Sequence, residues 1–166
     1  MSYPPVRWTA SEGAVSASLR EDGRAPDLRV GAGGAVHYLA TSATTSGEYG
    51  LYRWEMGPEP SGPAPHFHRT ISEAFYVLSG TVRLDDGDRV VEATPGDFLY
   101  VPVGGVHGFR NESGAPASML LLFAPGAPRQ AYFEELAEIA ASGRQLSEQQ
   151  WTELFARHDQ YPVTPP

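Results

Sequence analysis

Short runs of alternating or continuous apolar residues recur through the middle of the chain, separated by turn-forming residues. They cover 35–40, 48–56, 73–78, 81–84, 89–93, 98–101, 107–110 and 117–123. Many short strands with Gly/Pro punctuation predict an antiparallel sandwich or barrel. Asp86-Gly87 is a hairpin turn signal between two of these runs, and Ser79-Gly80 plays the same part before Thr81. After about Pro128 the period changes. Tyr132, Phe133, Leu136, Ile139 and Ala140 recur at spacings of three and four, which predicts a helix with one apolar stripe. Ser147-Glu148-Gln149-Gln150 has the form of a capping box, so a second helix follows with Trp151, Leu154 and Phe155 turned inward. The pattern divides the chain into an irregular arm over 1–34, a barrel over 35–128 and a helical tail over 129–166. The tail is expected to pack on the barrel's outside or on a partner copy, with closure over the barrel mouth as the alternative.

Composition narrows the chemistry. The chain has 166 residues and a net charge of -8, a length that fits one domain. It has no cysteine, and all 12 basic residues are arginine. Disulfides, thiolate catalysis, Cys-ligated metal sites and lysine Schiff bases are therefore excluded. The acidic balance and scattered arginines argue against nucleic acid and anionic membrane surfaces as partners. The first thirty residues carry Pro4, Pro5, Glu12, Glu21 and Asp22 with no apolar run of signal-peptide length, so a cytoplasmic location is expected. Eighteen glycines and fifteen prolines mark a turn-rich globular chain.

Three of the five histidines fall into one pattern with a glutamate: His66-Phe67-His68, then Glu73, then His107. Residues i and i+2 of a strand share a face, so His66 and His68 can share one cation. A bend over 69–72 returns Glu73 to the same interior, and a distant strand brings His107. Three neutral imidazoles and a carboxylate suit one divalent transition ion, Ni, Mn, Fe, Co, Cu or Zn, with one or two positions left open. His37 and His158 stand outside the pattern and are assigned structural or surface roles.

The spacing of Gly and Pro about these residues is also specific. Gly62-Pro63-Ala64-Pro65-His66-Phe67-His68 leads over four residues to Glu73 and on to Gly80; Gly96, Pro102 and Gly104 precede His107, and Asn111 closes the second stretch. Fifteen residues, Thr81 to Pro95, lie between the two. The sequence here resembles the cupin family, whose two motifs carry two His and a Glu, then a His. One departure is Gly62, which stands nearer the first histidine than the family pattern has it. The resemblance implies an all-β, single-domain cupin, a jelly-roll barrel with a short C-terminal helical appendage, and pairing as a homodimer.

Strand parity sets the surroundings of such a site. Phe75 shares a face with Glu73, Phe109 with His107, and Tyr52, Trp54 and Met56 form one apolar class, as do Met119, Leu121 and Phe123. These eight are the expected pocket walls, and they imply a small apolar or aromatic organic substrate. Glu73, bound through one oxygen, keeps the other free to take a proton from a substrate hydroxyl. Pro65-His66-Phe67-His68 with Glu73-Ala74-Phe75-Tyr76-Val77-Leu78-Ser79-Gly80 and the helical tail is similar to the one-domain bacterial quercetinases, flavonol 2,4-dioxygenases. That resemblance implies metal-dependent, dioxygen-consuming opening of a flavonol heterocycle, with Glu73 catalytic. The alternatives are a non-oxidative metal-containing cupin, such as a polyketide cyclase or isomerase, and a ligand-binding cupin without turnover.

Overall fold

A computed structural model describes residues 2–31 and 33–163. Residues 1, 32 and 164–166, assigned above to the arm and the tail, lie outside the described residues. The alternating runs form strands β1 (Leu28–Val30), β2 (Gly34–Ala40), β3 (Gly50–Met56), β4 (His66–Phe67), β5 (Ser72–Ser79), β6 (Val82–Asp85), β7 (Val90–Ala93), β8 (Phe98–Val101), β9 (Gly108–Arg110) and β10 (Ala117–Ala124). Helices α1 (Arg129–Ser142) and α2 (Glu148–Arg157) follow, and β11 (Tyr161–Pro162) ends the described chain.

A six-stranded sheet in the order β1-β2-β3-β10-β5-β8 faces a three-stranded sheet β7-β6-β9, and β11 pairs with β4. Every pairing is antiparallel. The architecture is a cupin-like jelly roll. Two strands lie outside the sequence pattern: β1, inside the arm read as irregular, and β11; at three and two residues they are too short for alternation to register. The strand expected at His66 forms as β4 and ends at Phe67. Residues 2–27 form no helix or strand.

Side chains of one parity meet between the sheets. Tyr52, Phe75, Val77, Val82, Leu84, Met119, Leu121 and Phe123 are all essentially inaccessible to solvent, and each such burial stabilises the fold by roughly 1.5–3 kcal/mol. Opposed pairs such as Leu121 and Phe75, or Met119 and Val77, keep the β10–β5 register, because a slip of one residue would turn the apolar face outward. The hairpin at Asp86-Gly87 forms as expected: the Asp86 N–H donates to the Arg89 carbonyl, and Gly87 has φ 89°.

The tail corrects one expectation. Both helices form, with Gly143 ending α1 in the left-handed region and the Ser147/Gln150 box capping α2. Their apolar sides, however, close over the barrel mouth. Phe133 of α1 meets Tyr52 and Trp54 edge on, with ring centroids 5.3 and 5.0 Å apart. The tail is held there by its own end: Tyr161 of β11 stacks on Phe67, and the Arg69 guanidinium lies 4.1 Å from the Tyr161 ring. Among the described residues, no helix is long and apolar enough to cross a membrane.

Candidate metal centre

His66, His68, Glu73 and His107 are all buried, and each offers a ligand atom within 4.8 Å of the others. The backbone explains the convergence. His66 and His107 form an antiparallel bridge, exchanging N–H···O bonds of 2.8 and 2.9 Å, which joins the two sequence motifs face to face. The His68 carbonyl accepts from the Gly104 N–H at 2.8 Å, tying the first motif to the glycine turn of the second. The chain bends at Arg69 and Thr70, as expected, and the bend is clamped from the tail. The Asp159 carboxylate accepts from both their backbone N–H groups, at 3.0 and 2.9 Å, and from the Thr70 hydroxyl at 2.6 Å. Burial works against that carboxylate's charge, but the bonds from Thr70 and Arg69 prevail and keep Asp159 below its usual range.

The donor set suits a metal ion. His66 Nδ1 meets the Ala64 carbonyl at 2.9 Å, His107 Nδ1 meets the Gly105 carbonyl at 3.0 Å, and His68 Nδ1 meets the Asp159 carbonyl. A carbonyl only accepts, so each Nδ1 donates and each Nε2 is left to face the centre. His68 Nε2 and His107 Nε2 stand 3.1 and 2.9 Å from Glu73 Oε2. Lone pairs set against a buried carboxylate at that range repel unless a cation lies among them, and a proton or a metal ion satisfies the need. Imidazoles fixed by carbonyls behind them are the usual support of a metal site.

The charges lean the same way. Burial pushes the Glu73 carboxyl up, but hydrogen bonds from His107 and His68 outweigh it and hold Glu73 well below the carboxylate range. Burial also opposes a charge on His107, yet the Glu73 contact prevails and raises its pKa. His66 moves the other way: burial first, and repulsion from His107 second, bring it down to about 4. The ionised Glu73 carboxylate thus favours a cation on the imidazole side of the cluster, and a metal ion bound there would compete with protons for the same nitrogens.

A cavity of about 400 Å³ opens beside this cluster, and both His66 and Glu73 reach its wall. Of the eight expected pocket residues, Trp54, Phe109, Leu121 and Phe123 line it. Tyr52, Met56, Phe75 and Met119 do not, and are buried in the core. Parity fixes which face a side chain occupies, not how far along the barrel the space is already filled. Met56 and Met119 are packed in the closed interior, Phe75 is wedged against His107 at 5.8 Å between ring centroids, and the Tyr52 hydroxyl is drawn to Gln130 Oε1 at 3.1 Å. The rest of the wall comes from the loop residues Gly62, Pro63 and Ala64 and from the tail, above all Arg129, Tyr132, Phe133, Trp151 and Phe155. Sequence reasoning missed Arg129, although a signal was present: it lies three, four and seven residues before Tyr132, Phe133 and Leu136, a charge on the apolar stripe. Asp159 gave no such signal. His37 lies against Arg53 and Glu55, and His158 against Glu135, both apart from the cluster.

The fold is cupin-like, and residues 52–123 match the family described as "Cupin domain". Those residues of the chain thus carry a cupin domain. Quercetin 2,3-dioxygenase of Bacillus subtilis (strain 168) is 31% identical to it over 113 residues, 60% of this chain and 33% of that protein. The chain thus spans about a third of the length of the curated relative it matches. The polyketide cyclase RemF from Streptomyces resistomycificus is similar in structure, with a TM-score of 0.53 and 27% identity over 68% of this chain and 80% of that one. An RmlC-like cupin from Shewanella frigidimarina NCIMB 400 shares the fold at a TM-score of 0.57 and 18% identity, over 69% and 96% of the two chains.

Proposed function

We propose that the protein is a metal-dependent dioxygenase that opens the heterocycle of a flavonol-like aromatic substrate, with one divalent transition ion held by His66, His68, Glu73 and His107. The observation that carries this reading is the four-residue cluster opening onto an aromatic-walled cavity. The relative named a quercetin dioxygenase supports the substrate class. When bound, the metal supplies Lewis acidity toward a substrate oxygen and, for a redox-active ion, a route for electrons to dioxygen. Trp54, Phe109, Phe123 and Phe133 hold and orient a flat ring system and keep bulk water from it. Glu73 Oε2 is engaged by His68 and His107, so Oε1 is the oxygen free to take the proton of an enolic hydroxyl. In the balanced reaction, a flavonol and dioxygen give a ring-opened ester acid and carbon monoxide, and both atoms of dioxygen enter the products.

An oxygen electrode with a flavonol panel tests this. Consumption of dioxygen one for one with flavonol, with carbon monoxide released, is the expected result, and loss of uptake after chelation should follow. The likeness to RemF favours a second reading, a non-oxidative cyclase using the metal only as Lewis acid. Anaerobic turnover of a polyketide with no flavonol-dependent oxygen uptake would establish that reading instead. Pairing as a homodimer and a cytoplasmic location belong to the same proposal.

A further inference from the structure

Arg129 is the one arginine in the cavity wall, and its burial is unusual for a charged side chain. It is 4% exposed. One guanidinium NH2 group donates to the His158 carbonyl at 2.8 Å and the other to Gln160 Oε1 at 3.3 Å. Both acceptors are neutral. Its Nε is buried with no hydrogen-bond partner, and among the described residues no carboxylate lies within salt-bridge distance. Around it are the faces of Tyr132, Phe123 and Phe133, at 4.5, 5.0 and 5.6 Å from the guanidinium carbon. The first turn of α1, which Arg129 begins, contains no acidic residue.

A guanidinium stays protonated in a protein, so this charge cannot be shed. Buried charges are ordinarily paired, because leaving one unpaired is costly. Aromatic faces recover part of the cost but leave the in-plane Nε–H unused. A purely structural staple between α1 and the α2–β11 turn would account for the two bonds to neutral acceptors. It would not account for a cationic group at a position where a neutral donor could make them, nor for the free Nε–H. Among the described residues, the only carboxylate in the cavity wall is Glu73, whose charge is taken up by the histidine cluster. With a divalent ion bound, the formal charges of ion, Glu73 and Arg129 leave the cavity positive by two.

We propose that Arg129 is the anion-recognising residue of the cavity and selects aromatic ligands that carry an ionised oxygen, an enolate or a carboxylate, over their neutral counterparts. This substrate class rests on the cupin site proposed above, yet the Arg129 contribution is separable from the metal. Burial lowers the Arg129 pKa, and a bound anion would reverse that penalty. Arg is suited to the role because its planar donors match a carboxylate or enolate edge.

The test is isothermal titration calorimetry with 2-naphthoate and its neutral counterpart 2-naphthamide. Titrations use the full chain both as purified and after chelation, for wild type, Arg129→Gln and Arg129→Lys, with circular dichroism and melting curves on each. Wild type is expected to bind naphthoate at least about tenfold more tightly than naphthamide, in both metal states. Arg129→Gln is expected to bring the two affinities within about threefold, mainly by weakening naphthoate, and Arg129→Lys to keep part of the preference. Equal affinities in wild type, no binding of naphthoate, or a preference unchanged in Arg129→Gln would each overturn the proposal. A preference that vanishes on chelation would belong to the metal and overturn it too. A chain that takes up no metal would defeat the metal reading alone, since the chelated titrations would still report on Arg129. Should Arg129→Gln not fold, the Lys variant and the wild-type ratio decide the matter.

Discussion

Replacing Glu73 by glutamine is expected to cut flavonol-dependent oxygen uptake, per bound metal, by at least about a hundredfold. Glutamine keeps the size of the side chain and one oxygen donor, so the cluster with His66, His68 and His107 can still close. What it loses is the charge that pairs with two imidazoles through Oε2 and the basicity of Oε1. Metal affinity falls as well, so the variant is assayed with saturating metal and its content measured in the same sample. Uptake within about threefold of wild type at equal metal content would remove Glu73 as the proton acceptor.

Gly62→Ala is expected to destabilise the fold by about 3 kcal/mol, lowering the melting temperature by roughly 6–12 °C for a chain of this size. Gly62 has φ 133°, a conformation that side chains rarely tolerate, and a Cβ there would sit 2.0 Å from the Phe109 carbonyl oxygen and 2.9 Å from the Arg110 Cα. The segment cannot simply move away. It is fastened on one side by the Ser61–Asn111 bridge and on the other by the His66–His107 bridge. Any relief of the clash pulls His66 from His107, so metal affinity should fall with stability. A scanning calorimetry shift of under about 2 °C would mean that the loop yields without strain.

That glycine also shows how the sequence relates to the structure. By pattern alone its spacing is a departure from the cupin motif, while in three dimensions it is a point of close approach between the two motifs' backbones. The strands were legible because alternation is a local property, and the four candidate ligands because parity and fixed turns place them: Gly80 and Gly104, with φ 72° and 81°, bend the chain as their spacing implied. Asn111, which closes the second stretch, is fully buried and holds Gly57 and Ala115 by their carbonyls. What was not legible depends on contacts distant in sequence. Nothing local in the Asp159 neighbourhood says that its carbonyl orients His68, 91 positions away, or that its carboxylate holds the bend before Glu73. The placement of α1 and α2 was underdetermined for the same reason: an apolar stripe says that a helix must be covered, not by what. Here the cover is the barrel mouth, and the tail adds Arg129, Tyr132, Phe133, Trp151 and Phe155 to the cavity wall.

The metal content of the purified chain, by elemental analysis after loading with each of Ni, Mn, Fe, Co, Cu and Zn and removal of free ion, tests the centre most directly. About one equivalent of at least one ion per chain, falling below about a tenth in His66→Ala, is the expected result. Negligible uptake of all six ions, or uptake unchanged in His66→Ala, would contradict it.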